Sequence, residues 1–452
     1  MSVSRDNSRL SVSTARRSHG KRLDLRTLLP SAIPRLRPAL AGDAPLLSAW
    51  ECDEHGNGAH GSNVFVIESA SRPVGCLTLH RSGHTVSISH LFVVPALRRK
   101  RIGSYAIRLA VAYAMDMGTA EIHVHLERTN SAALLAFMAC GFTREREVGG
   151  RSSILLRRQV RPFEPVCDAG FSYRGLTGEN IIRDHRALIE AAARGFSEIP
   201  DVQLVLALGS AGRGFADRFS DVDLFVIGRG RSLWQIDPGE RWVDGIDFDV
   251  FVFDLDEAPY KTWDCDRRQA LSEGVVAWAR NRACIGKLRR AIRLRRREQR
   301  SMIAERLLQL TWIGFHPPSL AGTKRFGYYW SLPHDLWLQR GHLKSAHLTI
   351  DQASDLLLQL LFLLNDRLIP SAKWRRYLVS RLQALPSQFE QRLTLIESAA
   401  RDHEAFDERA IVLLELIEDA FALLLDAGLV PQDVYRTYLS TTRDYCSHHA
   451  DS

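Results

Sequence analysis

Three textures of apolar spacing follow one another along the chain. Between residues 33 and 158, short runs (NVFVIES, PVGCLTLH, VSISHLFVV and EIHVHLE) alternate polar with apolar or are continuously apolar, each the length of a strand. Between 180 and 255 an amphipathic stretch, IIRDHRALIEAAARGF, precedes the strand-like runs ending in LALGS, DVDLFVIG and GIDFDVFVF. From about residue 267 leucines recur three and four apart, the spacing of one helix face. The pattern predicts two α/β (α+β) units followed by an all-α one, with bounds at 31–160, 171–262 and 263–445. A charged, proline-containing joint, RRQVRPFEPVCDAG, falls between the first two units at 157–170. Residues 1–30 are rich in Ser and Arg without apolar periodicity, and a disordered basic tail is expected there.

Composition narrows this picture in three ways. With 452 residues, 45% of them hydrophobic and 25% charged, the chain has room for about two to four domains. Seven cysteines, an odd number with no C-x-x-C pair, fit free thiols in a reducing, cytoplasmic setting better than a disulfide framework. The most apolar run, LLLQLLFLL at 356–364, is too short to span a bilayer and reads as a buried helix, so no membrane partner is expected. The formal net charge of +8 favours phosphate-bearing ligands without choosing among them.

Chemistry concentrates first at LALGSAGRGFADRFSDVDLFVIG, residues 206–228. On a strand, Asp221 and Asp223 share one face while Val222 faces the other. Two carboxylates so close repel unless a cation lies between them, and oxygen-only donors suit Mg²⁺. Gly209-Ser210 opens a turn whose amides can approach phosphate oxygens, with Arg213 placed to neutralise them. A third carboxylate, Asp247 or Asp249 on the strand GIDFDVFVF, could complete a two-metal site and take the proton of an attacking hydroxyl. The glycine spacing and the lack of a following ribose-binding acid exclude a dinucleotide fingerprint.

This order (apolar residue, Gly-Ser, a spacer of about ten, Asp-apolar-Asp, then a carboxylate on a later strand) resembles the DNA polymerase β-like nucleotidyltransferases of the minimal and small-molecule type. The resemblance implies that Asp221 and Asp223 hold metal, that Gly209, Ser210 and Arg213 hold a nucleoside triphosphate such as ATP, and that Asp249 is the third carboxylate.

The second concentration is SHLFVVPALRRKRIGSYAIRLAVAYAMDMG, residues 89–118: a strand, a basic turn and a helix whose free amides make an anion site. With the following EIHVHLE and RTNSAALLAFMACGFTRE, it resembles the GNAT acyltransferase superfamily. That resemblance implies an acyl-CoA such as acetyl-CoA laid along Val93 and Val94, its pyrophosphate in the turn Arg98, Arg99, Lys100, Arg101, Ile102, Gly103 and Ser104, and Asn130 opening the next cofactor-facing motif. Arg101 replaces a glycine of the family's turn, and Phe137 replaces the tyrosine that protonates the leaving thiolate. His90 and Glu127 are candidate bases.

The helical third unit offers less. On one continuous helix Arg289, Arg293, Arg296 and Arg300 of KLRRAIRLRRREQR would share a face fit for a triphosphate or RNA. Aromatic residues within 325–339 could stack a ring, and Lys373-Trp374 could close over a nucleotide. His185, His316 and His342 have no metal-ligand spacing. The reading is a bifunctional transferase acting on a small-molecule acceptor. The alternative is a protein- or RNA-modifying nucleotidyltransferase whose first unit senses acyl-CoA.

Overall fold

The structure is a computed structural model that describes residues 32–50, 62–145, 152–167, 178–209, 214–254, 265–320, 332–397 and 400–437, with isolated positions 23, 25, 28–30, 176, 212, 263 and 440. Ser210 and Arg213, and the aromatic residues within 325–331, lie outside the described residues.

The first sheet has seven strands in the order β1-β2-β3-β4-β5-β7-β6. They are β1 (Arg35–Pro38), β2 (Ser62–Ser69), β3 (Arg72–Ser82), β4 (Thr85–Val93), β5 (Glu121–Glu127), β6 (Thr143–Arg144) and β7 (Ser153–Gln159). Alternation puts Leu77, Leu79, Val86, Ile88, Ile122 and Val124 on one face, where α2 (Ile102–Asp116) and α3 (Ser131–Ala139) cover them. Leu47 of α1 (Ala44–Ala49) closes the other face with Trp50, Val66, Cys76 and Phe92.

β8 (Glu164–Pro165), β9 (Val202–Ala207), β10 (Val222–Gly228), β11 (Gly239–Val243), β12 (Ile246–Asp254) and β13 (Val275–Ala279) form the second sheet, ordered β11-β12-β10-β9-β13-β8. One face packs Val205, Leu224, Val226, Phe248 and Val250 against Leu188, Ala192 and Phe196 of α4 (Ile182–Phe196). The opposite face packs Leu204, Leu206, Phe225 and Ile227 under α5 (Cys265–Ser272) and α6 (Ala283–Ile292). Strand β13 therefore lies inside the stretch expected to be wholly helical. Its short VVAWA run pairs with β9, beyond reach of a period count dominated by its helical neighbours.

The remaining helices are α7 (Arg296–Trp312), α8 (Leu336–Gln339), α9 (Leu343–Leu364), α10 (Ala372–Val379), α11 (Phe389–Ile396) and α12 (His403–Asp426), around a third core rich in leucine. The LLLQLLFLL run lies in α9, with Leu357, Leu360, Leu361 and Leu363 buried. Among the described residues no helix is long and apolar enough to cross a membrane.

Two features tie the α/β units together. Helix α2 lies on α4: the Tyr105 hydroxyl donates to the Asp184 carbonyl at 3.2 Å, and Tyr105 and Leu109 belong to the second core. Glu190 of α4 receives Arg108 at 3.2 Å and Arg158 at 2.7 Å, while Asp116 receives Arg183 and Arg186. The N-terminal segment also crosses over. Leu25 and Leu29 are buried in the second core, Leu28 presses on Gly195, Leu23 bridges Ile236, and the Ile33 amide donates to Asp244 Oδ2 at 2.7 Å. The expected disordered tail thus does not include Leu23, Leu25, Leu28 and Leu29, which find partners far along the chain.

Candidate active sites

Parallel pairing of β10 and β12 sets Asp223 directly opposite Asp249. Facing residues of paired strands point to the same side, so both carboxylates lie on the face that further along carries Phe225, Phe251 and Phe253. Asp221 stands one residue before β10. Gly209, just past the end of β9, adopts φ +62, and a Cβ there would stand 2.5 Å from Asp223 Oδ2. The Leu208 amide donates to the Asp223 carbonyl at 3.0 Å, holding the turn against the carboxylates. The structure therefore brings Gly209, Asp221, Asp223 and Asp249 together.

One participant escaped the sequence reading. β11 and β12 form a hairpin through Asp244 (φ +49) and Gly245 (φ +81), an Asp-Gly turn of the kind that joins two strands tightly. Its register puts Glu240 opposite Asp249 and Trp242 opposite Asp247. Glu240, Asp249 and Asp223 thus form one row across three neighbouring strands. The Asp-Gly pair in VDGID was the available signal, since counting outward from that turn pairs 240 with 249.

Like charges crowd here. Burial first, then Glu240, Asp247 and Asp221, raise the Asp249 carboxyl above its usual range. Burial first, then Glu240 and Asp221, raise Asp247, whose Oδ1 is shut from solvent with no hydrogen-bond partner. Among the described residues Asp221, Asp247, Asp249 and Glu240 form no ion pair with a basic side chain. Nor do three His, Cys, Asp or Glu side chains among them converge as a metal cage requires, so the carboxylates make an open row. Its all-oxygen donor set and excess negative charge fit a hard divalent cation such as Mg²⁺. Behind the row stands His185 of α4, 1% exposed, its ring pushed down to about 4 by burial despite the opposing pull of Asp221 and Asp217.

In the first unit, β4 and β5 pair only over Thr85–Ile88 and Glu121–Val124, although each continues further. The strands part there, and a register shift in the β3–β4 ladder leaves Ser89 as the extra residue of a bulge. The gap leads to the turn before α2. Arg99 (φ +63) and Arg101 (φ +66) hold left-handed conformations, and Arg101 is the N-cap of α2 with no side chain capping the helix. Glycine would adopt that conformation without strain; here arginine takes the strain and adds charge. The first-turn amides of Ile102, Gly103 and Ser104 have no earlier helical carbonyl to bond, so an anion fits them.

Arg98 donates from Nε to the Val93 carbonyl at 3.0 Å, and the Val94 amide donates to Val74 at 2.9 Å. Asn130 caps α3 by accepting the Ala133 amide at 3.1 Å. Phe137 is 2% exposed and meets Phe142 edge-on at 5.1 Å, so this position is apolar core and supplies no proton. His90 faces Thr78 across the bulge, with Nε2 buried and unpartnered, while Glu127 is exposed at the end of β5.

Other expectations fail. The arginine-rich run is not one helix: α6 ends at Ile292 and α7 begins at Arg296. Arg289 bonds the Val166 and Pro165 carbonyls and Glu164, and Arg296 bonds the Ala427 carbonyl, so these two guanidiniums brace neighbouring elements. Trp374 packs on the helical core and against Tyr377 at 6.1 Å, with the exposed Lys373 beside it on α10. Helix α10, which carries both, packs on α9.

Residues 30–142 match the family model described as Acetyltransferase (GNAT) family, and residues 189–273 match the Nucleotidyltransferase domain. Solved structures similar to part of the chain include spermidine N-acetyltransferase from Vibrio cholerae in complex with CoA and spermine, at 17% identity, covering 28% of this chain and 96% of that one with a TM-score of 0.25. An acetyltransferase from Thermus thermophilus is 18% identical over 29% of this chain and 99% of its own, with a TM-score of 0.26. No curated protein matches. The chain therefore joins a domain of the GNAT acetyltransferase family to a nucleotidyltransferase domain, with a helical region after them.

Proposed function

We propose that the second unit transfers a nucleoside monophosphate from a nucleoside triphosphate, ATP in the first instance, to a hydroxyl of a small molecule. The observation that carries this is the placement of Asp223 opposite Asp249, with the Gly209 turn against Asp223. Asp221, Asp223 and Asp249 would hold Mg²⁺, which supplies charge neutralisation of the triphosphate and polarisation of the α-phosphorus. Gly209, together with Ser210 and Arg213, binds the phosphates. Asp249, opposite Asp223 on the neighbouring strand, receives the acceptor's hydroxyl proton. Pyrophosphate release should require Mg²⁺ and fall at least about 10²-fold in Asp223→Asn and Asp249→Asn with the fold intact; full activity in either variant would sink the assignment.

The first unit would transfer an acyl group from acetyl-CoA or another acyl-CoA to an amine. The Arg98–Ser104 turn takes the pyrophosphate, the β4–β5 gap takes the pantetheine arm, and His90 accepts the amine's proton. A second reading, in which this unit binds acyl-CoA and regulates its neighbour without turnover, is favoured by the buried Phe137 and by the seam between α2 and α4. Acetyl-CoA should stabilise the wild type thermally and not Arg98→Ala. Release of CoA thiol with a panel of primary amines supports the enzyme, and binding without release supports the sensor.

A further inference from the structure

The mouth of the β4–β5 gap carries a serine and a histidine in contact. β4 and β5 stop pairing at Ile88 and Val124, and Ser89 is the next residue of β4. As the extra residue of the bulge it stands outside the regular alternation, and its exposed side chain meets β3. There its Oγ lies 2.7 Å from His80 Nε2. Leu77 and Leu79 of β3 face the core under α2, so His80 stands on the opposite face of the sheet, with Cys76. A hydroxyl thus sits within hydrogen-bond reach of a half-buried imidazole at the point where the strands part. Two further observations give the pair a task. Beyond Ile88 the amides of β4 that face β5 have lost their strand partner, which leaves donors for the oxygen of a reacting carbonyl. Phe137, buried in the core, leaves a departing thiolate without a proton donor at that position.

We infer that Ser89 is an acyl-carrying nucleophile with His80 as its base, so that acyl transfer in the first unit runs through a seryl ester. With its own proton on Nδ1, His80 takes the Ser89 hydroxyl proton at Nε2 while Oγ bonds the thioester carbon. The carbon–sulfur bond then breaks, and the proton on Nε2 passes to the CoA sulfur. His80 thereby supplies the proton that Phe137 cannot. In the second half of the reaction His90 takes one proton from the ammonium group. The freed nitrogen bonds the ester carbon and the carbon–Oγ bond breaks. A second N–H proton passes through His80 to Ser89 Oγ, which restores the pair. The inference rests on the proposed acyl transfer and deepens it.

The test mixes the full-length protein with acetyl-CoA in the absence of any amine. Mass spectrometry should find one acetyl group per chain, on the peptide that carries Ser89. Hydroxylamine should remove it, as it removes an ester and not an amide. CoA thiol should appear in a burst that matches the acetyl group. Ser89→Ala should lose both label and burst, Ser89→Cys should keep a hydroxylamine-labile label, and His80→Gln should slow the burst by at least about 10²-fold. Acetyl-CoA should still raise the melting temperature of all three variants, because the Arg98–Ser104 turn is untouched. With a primary amine present, initial rates should show ping-pong dependence on the two substrates. CoA release that requires the amine, with no acetyl-enzyme formed, would overturn the inference and leave direct acyl transfer standing. A label that survives Ser89→Ala, or full turnover in that variant, would do the same. Binding of acetyl-CoA without CoA release, with or without amine, would overturn both the inference and the acyl transfer on which it rests.

Discussion

Two residues show how backbone geometry chooses side chains at these sites. Gly209 has no room for a methyl group, because its Cβ would collide with the Asp223 carboxylate and its φ of +62 disfavours any side chain. Gly209→Ala should therefore push Asp223 out of the row. The expected result is loss of thermal stabilisation by MgATP, with a cost to the fold of about 1–2 kcal/mol by denaturant titration. Arg101 is the opposite case, since it holds φ +66 where glycine would be relaxed. Arg101→Gly should stabilise the first unit by about 1 kcal/mol in urea unfolding, even if acetyl-CoA binds less tightly for loss of charge. The placement of Asp221, Asp223 and Asp249 on or beside neighbouring strands, and of Arg98–Gly103 at the start of α2, was legible in the sequence because each is a local pattern. Glu240's place beside Asp249 was not: it depends on a strand partner nine residues away, reached through the Asp244-Gly245 turn.

At the scale of elements, helix α4 serves two surfaces at once. Leu188, Ala192 and Phe196 pack on the second sheet, Glu190 and Asp184 meet the first unit, and His185 lies behind the carboxylate row. Its buried ring resists protonation down to about pH 4, whereas an exposed histidine of the unfolded chain takes a proton near 6.5. Between these values the unfolded state binds the extra proton, so stability falls as pH drops through that window, by about 3 kcal/mol at full extent. Melting temperatures measured from pH 7 to pH 4 should fall steeply in the wild type and less so in His185→Asn. Periodicity revealed α4 as a helix but could not reveal its double duty. Period counting likewise missed β13, a five-residue strand among helices, and fused α6 and α7, whose junction at Arg293–Arg295 carries no glycine or proline to mark it.

At the scale of the molecule, the seam between α2 and α4 joins the two α/β cores. The Glu190 carboxylate lies between two largely buried guanidiniums, those of Arg108 and Arg158. Glu190→Ala removes it from both, at a cost of about 3 kcal/mol. Calorimetry should show the two α/β units melting together in the wild type and separately in this variant. The N-terminal crossover has a consequence for how the protein is made. Residues 23–33 leave the ribosome before either sheet exists, yet the Asp244 carboxylate that receives the Ile33 amide is synthesised 211 residues later. These leucines, made early, cannot take their seats until the chain has been made past residue 236. A fragment beginning at residue 175 lacks the leucines that cover Gly195 and the 235–237 edge. Such a fragment should aggregate unless residues 23–33 are supplied as a peptide or fused to it. The crossing of this early segment, rather than the joint between the two heads, decides where the chain can be cut.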